Sequence, residues 1–104
     1  METHEFSFSD LFEKARKQEA KYMLSRGFIN EYSKEFLVGQ TICYQGQEND
    51  GKHKFILENN KEIPFVLIPH FFIKIPLSMG QRLKITNLIF NKKGNLSEIV
   101  LNSI

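Results

Sequence analysis

Lys54-Phe-Ile-Leu-Glu58, the pair Asn59-Asn60, and Lys61-Glu-Ile-Pro-Phe-Val-Leu67 decide how this chain is read. Phe55 and Leu57 alternate with Lys54, Ile56 and Glu58, which is the two-residue period of a strand. Asn59-Asn60 is a turn signal, and an apolar run resumes directly behind it. The pattern predicts a hairpin of two antiparallel strands, 53–58 and 61–68. Pro64 has no N–H to give to a ladder, so the second strand belongs at a sheet edge or beside a bulge. Phe55, Phe65 and Leu67 are expected in the core.

The same alternation extends outward on both sides. Upstream, 36–45 is expected as a first strand, with Thr41, Cys43 and Gln45 alternating with Ile42 and Tyr44 and a bend or bulge at Gly39. Asn49-Asp50-Gly51 is a turn that leads into the hairpin. Downstream, 81–90 is a fourth strand, Asn91-Lys92-Lys93-Gly94-Asn95 a hairpin turn, and 96–104 a fifth strand. Between them, 69–80 is bracketed by Pro69 and Pro76 and is expected as a short helix or an irregular crossover. Ahead of the strands, Asp10 to Arg26 reads as a helix. Ser9 or Asp10 would cap it, and Glu13 stands three residues after Asp10. Phe8, Leu11, Phe12, Ala15, Tyr22 and Met23 recur at helical spacing. Asp10–Lys14 and Glu13–Lys17 are stabilising pairs on its polar side. Gly27 suits a left-handed cap, with Phe28 placed to fold back on Met23.

Composition narrows the classes of function. A chain of 104 residues, 41% hydrophobic and 25% charged, is one domain with one core. The expected division is a helix and connector over 1–35, packed on a strand domain over 36–104. The single cysteine, Cys43, excludes an internal disulfide and a Cys-rich zinc site. The N-terminus has early acids and no apolar core, so it does not read as a signal peptide. The apolar run 63–77 is too short, and too interrupted by prolines and charge, to cross a membrane. These features lead to the expectation of an intracellular protein without membrane attachment. Residues 1–62 carry 9 bases and 11 acids, whereas 63–104 carry 5 bases and only Glu98 as acid. That asymmetry fits a nucleic-acid binder and equally a sheet edge kept soluble by lysines.

Three strands, a crossover, then a closing hairpin is the layout of the five-stranded OB-type barrel. The chain resembles that class over about 36–104. The resemblance rests on Gly39 in the first strand, the 54–67 hairpin and the basic-apolar strand Gly80-Gln-Arg-Leu-Lys-Ile85. The fold expected is therefore mainly β with one N-terminal α-helix, a five-stranded OB-like β-barrel. Small SH3-like barrels and open helix-plus-sheet folds are the alternatives. In size the chain is similar to the small OB subunits of single-strand-binding trimers, although those assemble through a C-terminal helix and this chain ends in a strand. A helix followed by a barrel also resembles the anticodon-binding domains of some aminoacyl-tRNA synthetases, here with no catalytic domain after it.

The resemblance implies binding rather than catalysis. Single-strand binders combine a cationic groove with rings on which bases stack, on strands 2–3 and the loops joining strands 1–2 and 4–5. The residues at those places are Tyr44, Lys52, Lys54, Lys61, Arg82, Lys84, Lys92 and Lys93. Tyr44 is expected as an exposed strand-end ring, and the cations are expected to converge on one face. The expected partner is single-stranded DNA or RNA, bound with low sequence specificity, with the chain acting alone or as an accessory subunit. The alternative is a subunit that docks to a larger protein through an apolar surface. Phe71, Phe72 and Ile75 would be its anchors, with Tyr22 and Met23 as a second surface. A weaker third class is a hydrolase-like pair of Cys43 and His70. His4, His53 and His70 have no metal-ligand spacing among themselves or with Cys43, and the isolated glycines form no phosphate loop. No metal and no cofactor are expected, and no enzymatic activity.

Overall fold

The computed structural model describes residues 8–104; His4, and the N-terminal residues read above for a signal peptide, lie outside the described residues. The main element of the described chain is a five-stranded antiparallel sheet: β1 Thr41–Gln47, β2 His53–Leu57, β3 Phe65–Ile68, β4 Arg82–Phe90 and β5 Leu96–Ser103. Its order is β3-β2-β1-β4-β5. β1 lies in the middle, and β3 and β5 form the two edges. No pairing joins those edges, so the sheet is open.

One long helix, α1 Phe8–Leu24, precedes the sheet. Its described residues already include Phe8, two residues before the expected start, and Asp10 lies in the first turn of that span. Only Ala20 and Leu24, one turn apart, are buried. The outer half of α1 projects from the sheet, with Phe8 80% and Phe12 63% exposed. The molecule is correspondingly long, 58 × 31 × 25 Å. Glu13 lies 4.0 Å from Lys17, as the spacing requires, and Lys17 also reaches Glu35 at 3.3 Å.

The helix ends where the sequence signals its end. Gly27 adopts φ 87°. Its N–H donates to Leu24 O at 3.2 Å, and the Phe28 N–H donates to Met23 O at 3.1 Å. These are the two bonds of a Schellman motif, and glycine takes the left-handed position without strain. The expected start of the first strand at Phe36 is not observed. A 3-10 turn at Glu31–Ser33 leads into a short helix, α2 Lys34–Leu37. Asn30 Oδ1 accepts from Tyr32 N at 2.9 Å, and Ser33 Oγ accepts from Asn30 N at 3.0 Å. This reciprocal capping gives the backbone a local alternative to a ladder, and β1 starts only at Thr41.

Each strand sends alternate residues inward. Ile42, Tyr44, Phe55, Leu57, Val66, Ile68, Leu83, Ile85, Leu88, Ile99 and Leu101 form one cluster with Leu24, Leu37 and Ile63. A fully buried side chain of this kind contributes about 1.5–3 kcal/mol through area removed from water. Register corrects two core expectations. Phe65 sits opposite Ile56, and Leu67 opposite Lys54. Both therefore belong to the outer face of the sheet, while Val66 and Ile68 fill the core. Pro64 precedes β3, which is an edge strand, as its missing N–H requires. The turn into β3 is longer than the pair Asn59-Asn60. Asn60 Oδ1 accepts from the N–H groups of Glu62 and Ile63 and carries the loop on to residue 64. The 69–80 crossover holds one 3-10 turn, His70–Phe72, and is otherwise irregular.

Candidate binding cleft and the outer sheet face

A cleft of about 630 Å3 opens at one end of the core side. That size lies within the range of small-molecule and cofactor sites. Four segments wall it: Gly27 to Ile29 after α1, Gln47 and Asp50 to Lys52 between β1 and β2, Pro69 to Phe72 after β3, and Asn95 with Leu96 at the start of β5. Local chemistry sets each wall. The Schellman cap delivers Phe28, whose ring is 60% exposed. The Asn49-Asp50-Gly51 turn is held by Gly51 N–H donating to Glu48 O at 2.9 Å and Lys52 N–H donating to Asp50 Oδ1 at 3.1 Å. Lys52 Nζ also meets Asp50 Oδ2 at 2.9 Å, and this ammonium holds the Asp50 carboxyl below its ordinary range. The β4–β5 tip is tied by Asn91 Oδ1, which accepts from the N–H groups of Lys93 and Asn95. Phe71, 68% exposed, stands beside Phe72 with ring centroids 4.3 Å apart.

Behind the cleft runs a polar chain. The Tyr44 hydroxyl lies 2.7 Å from His53 Nδ1, and His53 Nε2 lies 2.8 Å from His70 Nδ1. Tyr44 and His53 are buried, at 7% and 6% exposure, whereas His70 is exposed and lines the cleft. Burial, followed by the neighbouring His70, lowers the His53 pKa from its ordinary value. The Tyr44 ring also packs on Phe55 at 5.2 Å. The expected exposed stacking ring is therefore a core residue. The reason is phase: Tyr44 shares a face with Ile42, and the bulge between Tyr44 and Gly46 comes only after it. His53 shares the phase of Phe55 and Leu57. That alternation was the signal in the sequence for a buried histidine, and spacing rules for metal ligands pass over it.

The cations do not converge on one face. Lys54, Arg82 and Lys84 project on the outer sheet face, because Cys43 sits opposite both Ile56 and Arg82, and Thr41 sits opposite Lys84. There Lys54 Nζ lies 4.7 Å over the Phe65 ring. Arg82 makes two 2.8 Å bonds to Glu58, whose carboxyl is held low by the guanidinium. Lys52 is in the cleft, Lys92 and Lys93 are exposed in the β4–β5 turn, of which Asn95 lines the cleft, and Lys61 is exposed in the β2–β3 connection. Of the expected apolar anchors, Phe72 and Ile75 pack against the core cluster, Met23 is half-buried, and Phe71 and Tyr22 are exposed. Phe28 was not among the expected site residues, although its position after the Gly27 cap was readable.

Cys43 and His70 are not brought together. Cys43 faces outward, with Sγ 3.5 Å from Gly80 O and from Gln45 Nε2, while His70 binds His53 from the core side. Among the described residues, no three His, Cys, Asp or Glu side chains are grouped to hold a metal ion, and no helix is long and apolar enough to cross a membrane. Chemically, the cleft offers apolar rings for a planar group, with an imidazole and an ammonium beside them for oxygen acceptors. Compared with protein-family models, with curated proteins and with solved structures, the chain matches none.

Proposed function

We propose that the protein binds single-stranded nucleic acid, with low sequence specificity and without catalysis, in the cleft between the β1–β2 and β4–β5 connections. The carrying observation is the pair of exposed rings, Phe28 and Phe71, lining one cleft with Lys52 and His70. Base stacking on such rings is sequence-tolerant, and nearby cations attract the backbone. In this proposal the open sheet is an OB-type barrel that is not fully zipped. Its edges are β3 and β5, and the turn directly after β3 lies against β5, so the two edges approach each other at the cleft. Lys92 and Lys93 extend the cationic border. Lys54, Arg82, Lys84 and Lys61 serve as an outer track only if the strand continues around the β3 edge.

Fluorescence anisotropy with labelled single-stranded DNA, single-stranded RNA and duplex tests the proposal. Single strands bind better than duplex, and Phe28→Ala and Phe71→Ala each weaken binding by about tenfold, within the range of one lost stacking contact. No binding to any strand at low salt overturns it. A second reading, docking to a larger protein as an accessory subunit, is favoured by the projecting half of α1. Phe8, Leu11 and Phe12 are exposed there on successive turns.

A further inference from the structure

The Tyr44–His53–His70 chain has a direction, and the direction defines what His70 can offer a ligand. Each imidazole carries one N–H when neutral, so each link needs one donor and one acceptor. If the Tyr44 hydroxyl donates to His53 Nδ1, then His53 carries its proton on Nε2 and donates it to His70 Nδ1. His70 in turn carries its proton on Nε2. If the chain ran the other way, Tyr44 O would accept from His53, and the hydroxyl hydrogen would have no acceptor among the described residues. A buried donor without a partner is costly, so the first direction wins.

His70 Nε2 has no partner among the described residues, and His70 lines the cleft. From this we infer that the chain holds His70 as a fixed Nε2–H donor for a phosphate oxygen of a bound single strand, with Tyr44 and His53 as positioning residues. The inference rests on the nucleic-acid reading of the cleft and deepens it: the rings take the bases, and His70 takes the backbone. The other titratable groups of the cleft wall are Lys52 and Asp50, already bonded to each other. β5, packed on the 70–72 turn, carries one charged residue, Glu98, which pairs opposite Ile89. Neither arrangement supplies His70 with a competing acceptor.

The test has two parts. In nitrogen-15 NMR of the full chain above the histidine titration range, His53 and His70 both appear as Nε2–H tautomers. Tyr44→Phe turns His53 into a mixture. A His53 that carries its proton on Nδ1 overturns the inference. In anisotropy with oligothymidylate, His70→Ala weakens binding by about tenfold, and His70→Gln, which keeps an N–H near the same place, recovers most of the loss. The same loss occurs with an abasic strand of equal length, and excess inorganic phosphate displaces neither strand more than sodium chloride of equal ionic strength does. A loss seen only when bases are present, displacement by inorganic phosphate beyond that of chloride at equal ionic strength, or an unchanged affinity in His70→Ala overturns the inference alone. Absence of strand binding by the unaltered protein overturns the nucleic-acid reading and the inference together.

Discussion

Tyr44 and His53 are a polar pair set into an apolar core, and their stability is tied to proton concentration. Removing the hydroxyl leaves His53 Nδ1 without its donor. Tyr44→Phe therefore lowers stability by about 1–3 kcal/mol in urea titrations. The fold holds the His53 pKa below the ordinary 6.5, chiefly by burial and next through His70. The unfolded chain accordingly takes up a proton at His53 before the folded one does. The contribution is fully present above the ordinary histidine range and is lost as the pH falls from about 6.5 towards the lower folded value. Urea midpoints measured between about pH 7 and about pH 5 fall more steeply for the unaltered protein than for His53→Gln. Gln40 presents the opposite case. Its Oε1 is buried with no hydrogen-bond partner among the described residues. Gln40→Met removes that acceptor at similar volume and leaves stability equal or higher in the same titration.

At the scale of elements, the end of α1 is the most exposed to single changes. Gly27→Ala forces a side chain into φ 87°, and its Cβ would come within 2.6 Å of the Lys52 stem. The strain is about 1–2 kcal/mol, and thermal unfolding reads it as a lowered midpoint. This cap was legible in the sequence because every residue in it is a near neighbour. The same holds for β2, β4, β5 and the Asn49-Asp50-Gly51 turn, where alternation and turn chemistry act over a few residues. The first strand's start was not legible, because Asn30 and Ser33 cap a turn that competes with extension. The cleft was legible only in part. Tyr44, His53 and His70 come from β1, β2 and the segment after β3, and no local pattern joins positions 9 and 17 residues apart. Alternation groups Phe65 with Leu67 but, in a strand apolar on both faces, does not say which face turns inward; the β2–β3 register sends Val66 inward instead.

At the scale of the whole molecule, charge is divided between two places, and salt dependence separates them. If a strand uses Lys52, Lys92 and Lys93 alone, the logarithm of affinity falls with the logarithm of salt at a slope of about −2. If the strand also crosses the outer face at Lys54, Arg82 and Lys84, the slope approaches about −4. The two values are distinguishable in one anisotropy series. The open edges at β3 and β5 and the projecting end of α1 belong to this scale as well. Gly27 both closes the cap of that helix and forms part of the cleft wall, where a side chain in its place would meet the Lys52 stem and the Leu67 carbonyl. The projecting helix is thus rooted at the wall of the candidate cleft. If a grip on the far end of α1 changes the cleft's affinity for its ligand, then filling the cleft changes the affinity at the far end by the same factor.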